Sequence, residues 1–482
     1  MGGSDYGSSH VQDLEKPTTA HDDILNSFTP EQKKKLIRRV DMRLVLNLGF
    51  LYCISLLDRT NLGAASVAGM QTDLGMNTSN NGYSLTSLVF FITYTIFQIP
   101  ATAIIRKLGP QLFLSSIVFL WGVVVVAFGL VPTWQPMAGL RAILGAFEAG
   151  FYPGCVYLLS TWYPRYELQK RNAAFYLIGS MASGFGGILA YGLMQMDGLG
   201  GKEGWRWVFI LEGIFTCVLG IAAFPMLVDF PEKSPKSWHF LNEHEAAYIV
   251  ASINHDRGDV YAEDFTLRKY LANCADSKVW LYALLYLLTT ANTYSIAYFL
   301  PIILQHSMGF SVAKAQCLVA PPYVAAAVVM FVQGMLADKW RIRGPIIAVN
   351  AAMGLLGLGL LGYMRNPAPR YFGAFLATIA GESNNCPALI SWQSNNIRGQ
   401  WKRALTSATL IGGGSIGGLI GTTVFHAQDA PNYWPGLLTT MAANAGIIAL
   451  VGLLIWKCDR ANTRVEARGR PIEGLVGFKN TF

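Results

Sequence analysis

Charge is scarce in this sequence: 14% of its 482 residues are Asp, Glu, Lys or Arg, against about 25% in ordinary soluble domains. A large soluble helical protein needs a charged face on each helix, and the long runs here have none, so that class is excluded. The seven cysteines show no CxxC and no regular spacing, and the seven histidines are equally dispersed. Neither a disulfide framework nor a metal site is implied, since cysteine within an apolar helix behaves as a small apolar residue. No nucleophile stands beside a base, so covalent catalysis is not expected, and no cofactor is called for. Residues 1–30 are polar and acidic, without the apolar core of a cleavable signal, so the first helix is expected to direct its own insertion.

What the sequence does have is long apolar runs, each able to cross roughly 30 Å of hydrocarbon as a helix. Twelve are read, at 44–67, 83–105, 111–131, 137–162, 172–194, 207–228, 279–304, 316–337, 344–364, 371–394, 404–425 and 436–457. The expected fold class is therefore an all-α membrane protein. Basic residues fall in alternate loops: Arg106 and Lys107; Arg165, Lys170 and Arg171; Lys339, Arg341 and Arg343; Arg398, Lys402 and Arg403. The intervening loops carry only Lys202, Arg206, Lys314, Arg365 and Arg370. Cytoplasmic loops collect positive charge, so both tails, 1–43 and 458–482, are expected in the cytoplasm. The net charge of +8 then follows from topology and needs no nucleic-acid partner.

The longest polar stretch, 229–278, separates six runs (44–228) from six (279–457), as a linker between two helical bundles does. Residues 242–255 in it can form a short amphipathic helix, read as a solvated linker helix on the cytoplasmic surface. A sequon, Asn77-Thr78-Ser79, falls in the first outer loop, too close to the membrane for ready modification.

Four charges lie inside the apolar runs: Asp58 and Arg59 in the first, Arg141 and Glu148 in the fourth. A charge near the bilayer centre costs about 2.5 to 3.5 kcal/mol on insertion scales and marks a cavity or a partner. The set points to an ion-coupled carrier of anions. Arg141 and Glu148 are two helical turns apart, about 10 Å along the axis and on nearly the same face, so both can look into one cavity.

Internal repetition supports two related halves. Glu148 precedes Pro153 by five residues and Glu382 precedes Pro387 by five; each run continues through an aromatic, Trp162 or Trp392, to a basic pair. Gly334-Met335-Leu336-Ala337-Asp338-Lys339, with Arg341 and Arg343 following, has a counterpart in Ile104-Ile105-Arg106-Lys107-Leu108-Gly109, which lacks the aspartate.

GMLADKWRIR resembles the loop motif of the major facilitator superfamily, whose glycine and aspartate pack a helix end and clasp a basic residue. LDRTNLG, RAILGAFEAGFYPG, YPRYELQKRNAAFY and SWQSNNIRGQWKRA resemble the anion:cation symporters, and most of all the fungal allantoate permease branch, which includes carriers of allantoate, nicotinate, pantothenate and biotin. The resemblance spans residues 40–460. It implies the major facilitator fold, with the first and fourth helices lining one cavity so that Arg59 and Glu148 approach each other.

On that geometry an ionised Glu148 competes with an anionic substrate for Arg59, and a proton on Glu148 removes the competitor. Arg59 then receives a carboxylate in bidentate fashion. Asp58 is a second candidate proton carrier, and the resemblance to the wider family implies that it can exchange partnership with Arg141; a static Asp58–Arg59 pair is the alternative. Arg141 is read as a substrate contact or a gate. Glu382 departs from the allantoate permease pattern and is either a further proton or substrate group or an acid steadying a broken tenth helix, with Asn384 and Asn385 beside it. Asn292, Tyr294 and Tyr298 on the seventh helix are expected to orient the anion. Tyr94, Gln98, Tyr176 and Gln333 are weaker candidates, with packing as their alternative role. Gly334, Asp338, Arg341 and Arg343 are expected to be conformational. The glycines from Gly412 to Gly421 resemble a phosphate loop only superficially and are read as a close helix contact.

The expected function is thus proton-coupled import of a small organic anion across a fungal membrane, most simply the plasma membrane, by a monomer. The alternatives are an exporter or exchanger of an acidic metabolite, and a nutrient receptor without net flux.

Overall fold

The structure, a computed structural model, describes residues 27–76, 81–236, 240–258, 273–340, 342–383, 386–397, 400–425, 429, 433–468 and 479–481. The sequon at 77–79, Arg341, Asn384, Asn385 and the side chain of Asp338 lie outside the described residues. Every regular element among those described is helical. The first group is α1 (Pro30–Ala65), α2 (Gly82–Leu108), α3 (Pro110–Phe128), α4 (Trp134–Glu148), α5 (Phe151–Trp162), α6 (Arg165–Met194) and α7 (Gly204–Met226). After α8 (Glu243–Gly258) come α9 (Ser277–Ile302), α10 (Val312–Cys317), α11 (Ala320–Trp340), α12 (Gly344–Tyr363), α13 (Pro367–Ser383), α14 (Cys386–Asn396), α15 (Gln400–Thr423) and α16 (Trp434–Arg468).

Nine of these helices or helix pairs are long and apolar enough to cross a membrane. The runs read at 83–105, 371–394 and 404–425 are helical too but fall outside those nine. Several ends differ from the sequence reading. α1 begins at Pro30 rather than 44, because Thr29 and Gln32 form a reciprocal capping box and proline occupies the first position. Its polar start is held by Arg39 on Glu245 at 3.0 Å and Arg43 on the Pro225 carbonyl at 3.0 Å. Likewise α16 runs to Arg468 rather than 457, since its extra turns contain good helix formers, Ala, Arg and Glu.

The helices pair in a repeated pattern. In the first group α1 packs on α6, α3 on α7 and α2 on α4; in the second, α9 packs on α15, α12 on α16 and α11 on α13. The first helix of each group, α1 or α9, also ends in a π-helical turn, Ser66–Met70 or Ile303–Ser307. Between the groups α2 meets α15, α6 meets α11 and α1 meets α9. Close approach of α15 to α9 depends on glycine: a Cβ at Gly413, Gly417 or Gly421 would collide with the α9 backbone at Ala283, Leu287 or Ala291. This is the close helix contact read from the glycine run.

Helix α8 forms where expected, but it is docked rather than solvated. Its Ala246, Ile249 and Ile253 are buried, and Phe28 stacks on His244 and Tyr248 with ring centroids 5.0 and 4.7 Å away. The i, i+3, i+7 spacing of those apolar residues makes one continuous stripe, which needs a partner. In the tail, Asn480 accepts from Lys278 at 3.2 Å, and Thr481 bonds Trp392 and Asn396, tying the ends of α9, α14 and α16.

Candidate functional site

Pro153 shapes the site before any charge is considered. A proline cannot donate to the carbonyl four residues back, and its ring crowds that carbonyl. The fourth run accordingly splits at Ala149–Gly150 into α4 and α5, which leaves Glu148 in the last turn of a helix ahead of a proline break. In the tenth run residues 384–385, between α13 and α14, lie outside the described residues, and Glu382 sits near the described end of α13.

Arg59 lies in α1 with 4% exposure. Its Nε and Nη2 donate to Glu148 Oε2 at 3.2 and 2.7 Å, and Ser55 donates to the same oxygen at 3.3 Å. The third nitrogen, Nη1, donates to the Tyr294 hydroxyl at 2.7 Å, so Arg59 bridges the two helix groups. Its guanidinium carbon lies 5.2 Å from the Phe90 ring centroid and 5.1 Å from that of Tyr94, an arrangement that favours a cation electrostatically. Glu148 Oε1 is buried with no hydrogen-bond partner.

Asp58 faces elsewhere. Consecutive helical residues point about 100° apart, and while Arg59 turns toward α2, α4 and α9, Asp58 turns into the first group. Its Oδ2 accepts from Trp121 of α3 at 3.0 Å and from Thr216 of α7 at 3.1 Å. Arg59 makes its ion pair with Glu148 rather than with its neighbour. Arg141 is fully buried; Nη1 donates to the Arg59 carbonyl at 3.4 Å, its carbon sits 5.3 Å from the Phe128 ring centroid, and Nε and Nη2 have no partner.

The second group supplies few charges. Tyr298 is fully buried with an unpartnered hydroxyl, and Asn292 Oδ1 is likewise unpartnered. Glu382 is buried and interacts electrostatically with Tyr323. Gln333 and Asn350 form a mutual amide pair at 2.7 and 2.8 Å, which commits Gln333 to joining α11 and α12. Tyr176 sits in an aromatic cluster, its ring 6.1 Å from Tyr52, and Gln98 is buried in α2. Gly334 is exposed, and a Cβ there would meet nothing within 4 Å, so no neighbour in this conformation requires glycine. Arg343 donates to the Ser391 carbonyl at 3.1 Å, joining the start of α12 to α14.

Sequence reasoning missed Glu212 of α7, which is buried and accepts from Asn61 through Oε2. The signal was present: Glu212 is an acid within the apolar run 207–228, the same criterion that singled out Asp58 and Glu148. Trp121 and Thr216, which hold Asp58, carried no such signal. A cavity of about 170 Å³ lies elsewhere, where Gln71, Asn81, Tyr83, Phe299, His306 and Tyr433 meet. Among the described residues no group of acids, histidines and cysteines is arranged to hold a metal.

Comparison with known proteins agrees with this architecture. The chain matches the Major Facilitator Superfamily over residues 48–422. It is 33% identical to the MFS-type transporter cnsO of Penicillium expansum, over 85% of this chain and 80% of that one. It is 29% identical to the high-affinity nicotinic acid transporter of Saccharomyces cerevisiae, over 93% and 82%. Among solved structures, a bacterial homologue of the human lysosomal transporter Spinster, in an inward-facing and unoccupied conformation, superposes with a TM-score of 0.65 at 18% identity, covering 90% of this chain and 99% of that chain. The repeated helix pairings and these matches together assign the chain to the Major Facilitator Superfamily, a family of multi-pass membrane transporters rather than enzymes.

Proposed function

We propose that this transporter is a proton-coupled symporter importing a small organic anion, of the anion:cation symporter type and its allantoate permease branch. Twelve crossings in two bundles, 44–228 and 279–457, rock about a central site, with both termini cytoplasmic and the monomer as the working unit in a fungal plasma membrane. The observation that carries the reading is the seat of Arg59: its fork is filled by Glu148 Oε2 while its remaining nitrogen reaches Tyr294 of the other helix group.

A carboxylate in an arginine fork is what a carboxylate substrate would replace: Glu148 fills the fork with one oxygen, Oε2, and a substrate carboxylate can engage the same two donors with both of its oxygens. Protonating Glu148 removes its charge, weakens its hold and opens the fork. The anion then binds Arg59 together with the proton on Glu148, and loss of either restores the internal pair. Tyr294 joins the occupied site to the second bundle, so binding and bundle rotation are linked. The relationship to a nicotinic acid transporter supports a small carboxylate as cargo.

The test is uptake of labelled nicotinate and a panel of other small carboxylates by the purified chain in proteoliposomes, with and without an inward proton gradient. Gradient-driven accumulation of at least one carboxylate, abolished by a protonophore, is expected. Efflux driven by an opposing gradient, with no accumulation, would instead identify an exporter.

A further inference from the structure

We propose that Glu212 is a further proton-carrying group of this transporter, sharing one proton with Asp58 across the α1–α7 seam behind the Arg59–Glu148 pair. The inference rests on the proton-coupled reading above and extends it to a residue outside the cargo seat.

Two rungs join α1 to α7. Thr216 donates to Asp58 Oδ2 at 3.1 Å, and Asn61 donates to Glu212 Oε2. Asp58 and Asn61 are one turn apart on α1, Glu212 and Thr216 one turn apart on α7, so the two carboxyls are neighbours. Helix α7 comes this close to α3 through Gly213 and Gly220, whose absent Cβ atoms would strike the backbone of Val126 and Phe119. That approach also brings Trp121 onto Asp58 at 3.0 Å.

Both carboxyls are more than nine-tenths buried, and each keeps one oxygen, Asp58 Oδ1 and Glu212 Oε1, without a hydrogen-bond partner. Among the described residues no cation bonds either carboxyl: Arg141 of α4, fully buried, donates to the Arg59 carbonyl at 3.4 Å and reaches neither Asp58 nor Glu212. Helix α3 and the turn Ser66–Met70 contain no charged residue, and the charged residues of α6 are confined to 165–171 at its start. On α1, Arg59 is committed to Glu148 and Tyr294; on α7, Arg206 is committed to Glu203 and the carbonyls of Gly129 and Val131. Tyr52 and Cys53 of α1, Tyr176 and Tyr191 of α6 and Cys217 of α7 are further titratable groups on these elements, and none of them bonds Glu212. Two neighbouring buried carboxyls that no cation bonds cannot both be ionised at acceptable cost. A single shared proton satisfies one of the two bare oxygens and leaves one negative charge.

Access to the pair comes from the seam between the helix groups. Asn61 lines a crevice of about 20 Å³ together with Thr60, Ala64, Gly187, Gln316 and Tyr323, a volume that accommodates one water. Gln316, from the second group, donates to the Ala64 carbonyl at 2.9 Å and has its own Oε1 unpartnered. Rotation of the groups therefore opens or shuts this crevice. Asp58 interacts electrostatically with both Glu212 and Glu148. When the shared proton leaves, the second negative charge favours protonation of Glu148, which releases Arg59. Only the proton moves, from one carboxyl oxygen to another.

The test has two arms, both on the full chain in lipid. Infrared spectra titrated with pH should show a protonated-carboxyl band at neutral pH that is lost in Glu212→Gln and persists, shifted, in Glu212→Asp. A band of wild-type intensity and position in Glu212→Gln would overturn the proposal, and this arm needs no substrate. In transport, Glu212→Gln, whose amide can still accept from Asn61, should keep proton-independent exchange of a carboxylate from the panel. It should lose about tenfold of the acceleration given by a proton gradient, with partial rescue by Glu212→Asp. An unchanged pH profile in Glu212→Gln would likewise overturn it. Should the wild type itself ignore the gradient, the symport reading fails while the infrared arm still decides whether Glu212 holds a proton.

Discussion

The two halves of the molecule share one packing scheme and divide the chemistry unequally. Among the described residues, five charged side chains are buried between 44 and 228, Asp58, Arg59, Arg141, Glu148 and Glu212, and one, Glu382, between 279 and 457. Yet the helix pairings of the first group recur in the second. The fold repeat is carried by apolar and glycine contacts, which tolerate divergence in polar residues. A buried charge is tolerated only where a partner of opposite sign or a functional proton offsets its desolvation. One half has become the charged wall, and the other a wall of hydroxyls and amides with one buried acid, Glu382, that interacts with Tyr323.

The sharpest way to break this contrast is at Arg59. Arg59→Lys keeps the charge but loses the fork, and uptake of a transported carboxylate should fall about tenfold to a hundredfold, matching the loss of charged hydrogen bonds of about 1.5 to 3 kcal/mol. Near-normal uptake in this variant would sink the carboxylate seat. Next comes a paired comparison of the two glutamates that each precede a proline by five residues in the sequence. Glu148→Gln should still bind substrate in a thermal-shift assay but lose about tenfold of its gradient-driven acceleration. Glu382→Gln, in the wall without an arginine fork, should stay within about twofold of wild type. Equal effects at the two positions would mean that the halves share the proton work.

A smaller effect is expected where the halves touch. Tyr294→Phe removes the hydroxyl on Arg59 Nη1, a bond of about 1 kcal/mol, and should raise KM about fivefold with the proton dependence intact. The smallest concerns the end of the second half, where Asp276 caps α9 and accepts from Lys402 at 2.7 Å. Burial works against ionisation of Asp276, but the Lys402 ammonium and the Lys278 backbone N–H outweigh it and hold the carboxyl below its usual range. Its contribution is thus present above the unfolded pKa, about 3.9, and lost as pH falls through the lower folded value. Asp276→Asn should cost no more than about 1 kcal/mol of thermal stability near neutral pH, less in strong acid, with uptake unaltered. A transport defect there would show that this end pair also gates the cycle.

The legibility of the site followed the same divide. Arg59, Arg141 and Glu148 could be read directly because a charge in an apolar run is conspicuous, and Glu212 met the same criterion unnoticed. The proline at 153 foretold the break in the fourth run, since its effect on the backbone is local. By contrast, the mutual bond of Gln333 with Asn350 and the docking of α8 under Phe28 depend on which face meets which neighbour, and no local pattern encodes that.

By itself the sequence determined the helical class, the apolar runs, the break before Pro153 and the inventory of charge within the runs, because a hydrocarbon setting demands that backbone groups be satisfied within a segment and makes each charge or proline there conspicuous. The tertiary structure alone decided how those charges are shared out. Arg59 turns to Glu148 and Tyr294 while Asp58, one residue away, turns back to Trp121 and Thr216. Adjacent side chains on a helix diverge by about 100°, and only the packing of distant helices settles what each one meets.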